Sequence, residues 1–417
     1  MLRSNVTPMA TCDISPLTSY DDALAQLTAS LETRVGVVER PLLEAGGMIL
    51  AETIESAIDV PGCAMSSMDG YAINTADLAD AETTLPVSLR IPAGEGVLDL
   101  ERGSAARIFT GAPVPNGADA VIMQEQVEVD GDSIRFGQHP ASGSNVRPAG
   151  NDIKHGTTIL ERGCRLRAQD IGLAASIGKQ SLPVYAPLRV GMFFTGDELI
   201  EPGEALAAGK IYDSNRYTLH GMLSAMGCEI VDLGLIGDTL DATCDAMSRA
   251  ADKADLVVTS GGVSVGEEDH VRIALEELGE LRLWRLGIKP GKPLAFGDID
   301  GTAFLGLPGN PVSVFATFCL FVVPVIRIMQ GRGWQKPVGL PLRADFDWPK
   351  PDSRREFLRA RLVVDNEGKT VVQIYPNQDS GVLTSTVWAD GFVEIPENQT
   401  VSRGDTVDYL PFAQLLS

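Results

Sequence analysis

Residues 188–330 switch between two periods of hydrophobic positions. LRVGMFF, CEIVDLGLI, DLVVTS and LRLWRLG are short apolar runs of strand type. TLHGMLSAMG, LDATCDAMSRAADK, HVRIALEEL and residues 312–329 repeat apolar positions every three or four residues, as helices do. Four strands alternate with four helices, which predicts βαβ units around a parallel sheet. In such a sheet a ligand binds beyond the carboxyl ends of the strands. The loops TGDE, SGGVSVGEED and IKPGKP each follow a strand, and LPGNP precedes the longest helix, so glycine- and proline-rich loops converge on one rim.

The flanks have other textures. Residues 17–54 read as helical, with Ser19 and Asp22 spaced as a capping box, and residues 167–178 return to a helical pattern. Between them, glycines and prolines punctuate short β-rich runs (YAIN, LPVSLRI, AARIF, ADAVIMQEQVEV, SIRFG), which predicts an all-β insert. The helices on either side are expected to pack together, making the first domain discontinuous. The tail carries five strand-like runs, LRADFDW, REFLRARLVVD, TVVQIYPN, GFVEI and DTVDYLPF, as in a small barrel or sandwich. The expected fold class is therefore multidomain α/β. Its divisions are 1–60 with 148–187 as a linker domain, 61–147 as the β insert, 188–333 as the α/β domain and 334–417 as a C-terminal β domain.

A net charge of −22, from 34 basic and 56 acidic residues, argues against a nucleic-acid surface or an anionic membrane as partner. It leaves room for a small anion, because exposed charges are screened beyond roughly 8 Å at physiological salt. The six cysteines show no CxxC spacing and the four histidines no HExxH, so the expectation is free thiols in a reducing cytoplasm. Residues 312–329 are long and apolar enough to span a membrane, but the run follows GNP and contains Pro324, which reads as a buried core helix.

Two chemistries meet on the predicted rim. GIKPGKP presents Lys289 and Lys292 on a turn stiffened by prolines, suited to a doubly charged oxyanion; the same pattern also fits solvated lysines on a turn. Glu198 in FFTGDEL and Glu267, Glu268 and Asp269 after SGGVSVG are carboxylates beside the amides and hydroxyls of Ser260, Gly261 and Gly262. Carboxylates next to an anion site call for a cation between them, and Mg2+ bridging carboxylate and phosphate oxygens satisfies both. Asp213 in IYDSNR joins this rim or simply caps a helix, and Ser313 in GLPGNPVS stands where a helix begins. Spacing alone assigns no role to Asp69 in SSMDGYA or Thr110 in RIFTGAPVP.

PGCAMSSMDGYA, RIFTGAPVPNGADAVIMQEQ, VRPAGNDI, FFTGDEL, IYDSNR, TSGGVSVGEEDH, IKPGKPLAFG and GLPGNPVS, in this order, resemble the MoeA family of molybdopterin molybdenumtransferases, which includes the E domain of gephyrin. The resemblance implies a MogA-like βαβ domain. It implies a Mg2+-dependent reaction of adenylylated molybdopterin with molybdate that yields molybdenum cofactor and releases AMP. It implies a homodimer of four-domain subunits, its active site between the βαβ domain of one subunit and the β insert of the other, with transient contacts to other proteins of the same pathway. Carried over motif by motif, Asp69, Thr110, Asp152, Glu198 and Asp269 fall at catalytic positions, with Glu198, Asp269 and Asp69 positioning magnesium. Lys289, Lys292, Ser313, Arg354 and Ser380 fall at molybdate or substrate contacts, with Ser260, Gly261, Gly262 and Asp213 nearby; Arg355 is the alternative to Arg354. Two rival readings stay open: a molybdopterin adenylyltransferase or nucleotide pyrophosphatase on the same βαβ fold, and a non-enzymatic scaffold.

Overall fold

The computed structural model describes residues 17–78, 83–263 and 270–416. The chain forms two compact units, Glu39–Val184 and Met1–Val38 with Tyr185–Ser417.

The larger unit is built on a six-stranded sheet in the order Glu229–Leu235, Arg189–Phe194, Leu256–Ser260, Thr302–Leu307, Pro293–Ile299, Gly279–Arg285. The first four strands pair in parallel, and Pro293–Ile299 pairs antiparallel with both Thr302–Leu307 and Gly279–Arg285. LRLWRLG is therefore not the fourth parallel strand. That place belongs to Thr302–Leu307, while Gly279–Arg285 pairs backwards with Pro293–Ile299. The parallel strands are nearly continuous in apolar residues because both their faces are covered: Val190, Met192 and Phe194 lie in one core cluster, and Phe193 and Val257 in another.

The long apolar run forms Pro311–Thr317, a π-helical turn Phe318–Val322, and Val323–Met329. Pro324 brings no N–H and its ring crowds the preceding turn, a known cause of such a bulge. Among the described residues this is the one helix of membrane-spanning length and apolarity, and it is 83% buried inside the core.

Helix Tyr20–Ala29 starts at Ser19, whose Oγ accepts from the Asp22 amide as its spacing predicts. Its apolar face packs into this same core. Tyr20 meets Phe321 and Phe357 edge-on at 5.6 and 5.3 Å. The helical reading of residues 40–54 also fails. Only Leu42–Ala45 is helical, because Gly46 and Gly47 follow at once and Gly47 takes φ +81°.

The five C-terminal strands close into a barrel. Arg355–Val364 pairs with both Thr370–Ile374 and Gly391–Ile395, and the circuit completes through Leu340–Ala344 and Thr406–Pro411. The short strand Ile288–Lys289 adds in parallel to the barrel, with Ile288 opposite Arg355 and Lys289 opposite Glu356.

The smaller unit carries a six-stranded sheet in the order Ala120–Met123, Gly70–Ile73, Ala105–Ile108, Thr83–Ile91, Ser133–Phe136, Glu128–Asp130. These strands coincide with the β-rich runs of the sequence.

Candidate functional site

A cleft of about 800 Å³ opens in the larger unit where the parallel strands end. Thr195, Gly196 and Glu198 follow Arg189–Phe194, Asp238 follows Glu229–Leu235, Gly261 and Gly262 follow Leu256–Ser260, and Pro308, Gly309 and Asn310 follow Thr302–Leu307. The opposite wall is the turn Lys289–Pro293 with Arg354, Gln378, Asp379 and Ser380 from the barrel. Glycine is required in two places. A Cβ on Gly261, at φ +98°, would stand 2.4 Å from the Thr195 carbonyl oxygen, and one on Gly291, at φ +110°, 2.6 Å from Thr317 Cγ2.

The cationic side of the cleft is not bare. Lys289 Nζ donates to Glu356 Oε1 at 2.7 Å and lies 3.4 Å from Asp352 Oδ2. Glu356 is 2% exposed, and its other oxygen accepts from Trp348 Nε1 at 2.7 Å. Arg354 turns its fork on Asp352, with Nε to Oδ1 at 3.0 Å and Nη2 to Oδ2 at 2.8 Å. This pairing holds the Asp352 carboxyl well below the usual range and raises Arg354 in turn. Lys292 is exposed on the cleft and makes no ion pair among the described residues.

The barrel loop is fixed from below and from the side. Arg359, 1% exposed, donates from Nε to Ser385 Oγ at 3.0 Å and from Nη2 to the Asp379 carbonyl at 3.0 Å and the Asn377 carbonyl at 3.4 Å. Burial pushes its guanidinium down to about 10, still charged at neutral pH. From the side, Asn310 Nδ2 donates to Ser380 Oγ at 3.0 Å and the Val312 amide donates to the Ser380 carbonyl at 3.0 Å. The Ser380 hydroxyl accepts from Asn310 and keeps its own proton to donate.

The structure thus brings Glu198, Gly261, Gly262, Lys289, Lys292, Ser313, Arg354 and Ser380 to one cleft. Arg355 lies elsewhere. Its guanidinium meets Asp21, Glu394 and Glu397 at 2.9–3.2 Å over the Tyr20 ring, so Arg354 is the arginine of the cleft. Two expected contacts do not face it. The Ser260 hydroxyl is buried, donating to the Pro308 carbonyl at 2.9 Å and accepting from Asn215 Nδ2 at 3.0 Å. Asp213, 1% exposed, caps a helix by accepting from the Arg216 amide at 3.1 Å, and burial raises its carboxyl. Both set the loops that form the rim without reaching its surface. Asp269, with Glu267 and Glu268, lies outside the described residues.

In the smaller unit, Asp69 Oδ1 accepts from the Thr110 amide at 2.7 Å and from Thr110 Oγ1 at 2.9 Å, which lowers its carboxyl. The pair that spacing left unexplained is thus one hydrogen-bonded feature. Asp152 is exposed in the same unit.

Sequence reasoning missed Asp238, Asp352, Glu356 and Arg359. Asp238, which accepts from Thr195 Oγ1 at 2.8 Å, was accessible from the strand-end rule, since it follows LGLIG. Among the described residues no three acidic, histidine or cysteine side chains are grouped to hold a metal ion. Asp379 lines the barrel wall of the cleft, and Glu198 and Asp238 are the carboxylates on its strand-end side. Their hard oxygens fit magnesium, which usually takes one or two carboxylates and fills its other positions with water and phosphate.

Comparison with known proteins accounts for almost the whole chain. Residues 18–178 match the MoeA N-terminal region (domain I and II), 191–328 a probable molybdopterin binding domain, and 341–412 the MoeA C-terminal region (domain IV). The chain is 41% identical over 379 residues to the molybdopterin molybdenumtransferase of Haemophilus influenzae, covering 90% of this chain and 94% of that protein. It is 36% identical over 420 residues to the Nostoc protein of the same name, covering 97% and 96%. The crystal structure of the molybdopterin biosynthesis MoeA protein from Pyrococcus horikoshii superposes with a TM-score of 0.83 at 31% identity, covering 95% of this chain and all of that one. Sequence relatives, regional matches and fold agree from residue 18 to residue 412, and the chain belongs to the MoeA family of molybdopterin molybdenumtransferases.

Proposed function

We propose that this cleft is where molybdate and the phosphate of the pterin substrate meet. The chain is a transferase of molybdenum cofactor biosynthesis, with molybdopterin and molybdate as substrates. The match of its N- and C-terminal regions, besides the central one, goes with this activity and not with an adenylyltransferase on the central fold alone. In the finer reading, the pterin arrives adenylylated and AMP leaves as molybdenum is inserted.

The observation that carries the reading is the place of Lys292. An ammonium group without a carboxylate partner among the described residues faces a cleft that also holds Ser313, Arg354 and Ser380. Lys292 and the Ser380 hydroxyl would hold molybdate, with Arg354 and Lys289 completing its surroundings. Gly261 and Gly262 let the backbone approach a phosphate closely. Glu198 and Asp238 would hold magnesium. That ion, when bound, supplies Lewis-acid polarisation of a phosphate oxygen. Sulfur ligands for molybdenum belong to the pterin, so no protein thiol is required. That agrees with the raised thiols of Cys228 and Cys319, kept protonated by burial, and with a reducing cytoplasmic setting.

In the same reading the chain has four domains and works as a homodimer in which a second copy supplies its Asp69 and Thr110, with Asp152, to the reaction. The test is cofactor formation measured against molybdate concentration for Lys292→Ala. The expected result is a raised KM for molybdate of roughly ten-fold or more, as for a lost charge-assisted contact. An unchanged molybdate dependence removes Lys292 from this role.

A further inference from the structure

Two of the cleft's three cations are spent on carboxylates that do not line it. Asp352 is not a lining residue, yet it takes the Nε and Nη2 donors of Arg354 at 3.0 and 2.8 Å and stands 3.4 Å from Lys289 Nζ. A guanidinium edge gives two parallel donors to one partner at a time, and the partner geometry it fits best is a pair of oxygens on a carboxylate or oxyanion. The Nε/Nη2 edge of Arg354 is therefore already occupied, which leaves the Nη1/Nη2 end for an oxyanion. Lys289 and Arg354 are paired with Glu356 and Asp352, leaving Lys292 as the cleft cation without an ion-pair partner among the described residues.

The two carboxylates differ in kind. Glu356 is buried, locked between Lys289 and the Trp348 indole, and belongs to the barrel strand. Asp352 is partly exposed in the segment before that strand, and among the described residues its side chain accepts only from Lys289, the Arg354 guanidinium and the Arg354 backbone amide. It can be exchanged without opening a core.

We infer that Asp352 limits the affinity of the anion site: it is an internal counter-anion that takes the Nε/Nη2 edge of Arg354 from an incoming oxyanion and opposes that oxyanion's charge. The inference rests on the reading of the cleft as a molybdate site. Replacing Asp352 by Asn removes the opposing charge and loosens the hold on Arg354, so the expected effect is a gain, where loss of a merely structural contact would give a weaker or unchanged site.

Sodium molybdate titrated calorimetrically into the full-length protein tests this, for wild type, D352N, K292A and the D352N/K292A double variant at fixed ionic strength. D352N is expected to lower the Kd for molybdate roughly three- to thirty-fold, as for one opposing charge in a partly screened site. K292A is expected to raise the Kd in both backgrounds. D352S, which removes the carboxylate with a smaller side chain, is expected to act in the same direction as D352N. Binding by wild type with equal or weaker binding by D352N and D352S overturns the inference and leaves the cleft's function intact. Absence of binding in wild type and D352N alike, or binding indifferent to K292A in both backgrounds, overturns the molybdate reading and the inference with it.

Discussion

Arg359→Met is the substitution whose effect the structure fixes most closely. Methionine fills much of the arginine's volume but removes a buried cation. Two forces oppose each other. Burial lowers the guanidinium from 12.5 to about 10, which at 1.36 kcal/mol per pH unit means the cation is disfavoured by ~3 kcal/mol. Against this stand two good hydrogen bonds at 3.0 Å, to Ser385 Oγ and the Asp379 carbonyl, each worth roughly 1.5–3 kcal/mol from a charged donor. A longer one runs to the Asn377 carbonyl at 3.4 Å. Losing them also leaves carbonyl oxygens without their donor, at about 1–3 kcal/mol if no water reaches them. The second group outweighs the first, and the net loss is about 2–4 kcal/mol.

In a unit of this size that corresponds to a fall in Tm of roughly 4–16 °C. The same loop carries Gln378 and Ser380 into the cleft, so the variant should also bind molybdate less tightly. Differential scanning calorimetry and a molybdate titration measure the two effects. Arg359→Lys, which keeps the charge but can satisfy fewer acceptors, should fall between. A methionine variant as stable as the wild type, with unchanged molybdate affinity, refutes the claim that Arg359 positions this loop.

Two further expectations follow from backbone geometry and burial. Gly291→Ala forces a Cβ at φ +110° to within 2.6 Å of Thr317 Cγ2 in the turn between Lys289 and Lys292; it should cost roughly 1–3 kcal/mol and weaken anion binding more than Gly301→Ala, which meets nothing within 4 Å, a contrast that thermal melts and titrations of the pair would reveal. Alkaline stability should depend on Cys228, whose thiol is pushed from 9.0 up to about 12 by burial. A raised folded-state value gives stability that is complete below pH 9 and lost as pH rises toward 12. Tm should therefore fall less for Cys228→Ala than for the wild type between these limits, and equal slopes would contradict the burial argument.

Hydrophobic periodicity carried the reading of the sheet a long way, because three of its four parallel strands are nearly pure apolar runs. It erred at LRLWRLG. An edge strand that pairs antiparallel and a buried parallel one look alike in one dimension, and Ala303 and Gly306 interrupt the bulky apolar positions of Thr302–Leu307. The strand-end loops were legible for a different reason: a chain needs glycine where the backbone turns at φ +98° against a neighbouring carbonyl, and Gly261 records that need. Asp352 and Glu356 were not legible. They become neighbours of Lys289 through pairing of Ile288–Lys289 with a barrel strand more than sixty residues later, a register that no local pattern encodes. The cationic cradle expected from GIKPGKP is consequently half-neutralised. Arg359 was hidden because an arginine on a strand normally reads as an outward-facing residue, whereas this one turns inward to hold backbone carbonyls.

The central claim is that molybdate sits against Lys292, Arg354 and Ser380. Crystals of the full-length protein soaked with molybdate and AMP, with diffraction recorded above the molybdenum absorption edge, test it directly. The account predicts an anomalous peak in the cleft within hydrogen-bonding reach of Lys292 Nζ and Ser380 Oγ. A molybdenum peak outside the cleft, or a cleft with no peak at saturating molybdate, would contradict it.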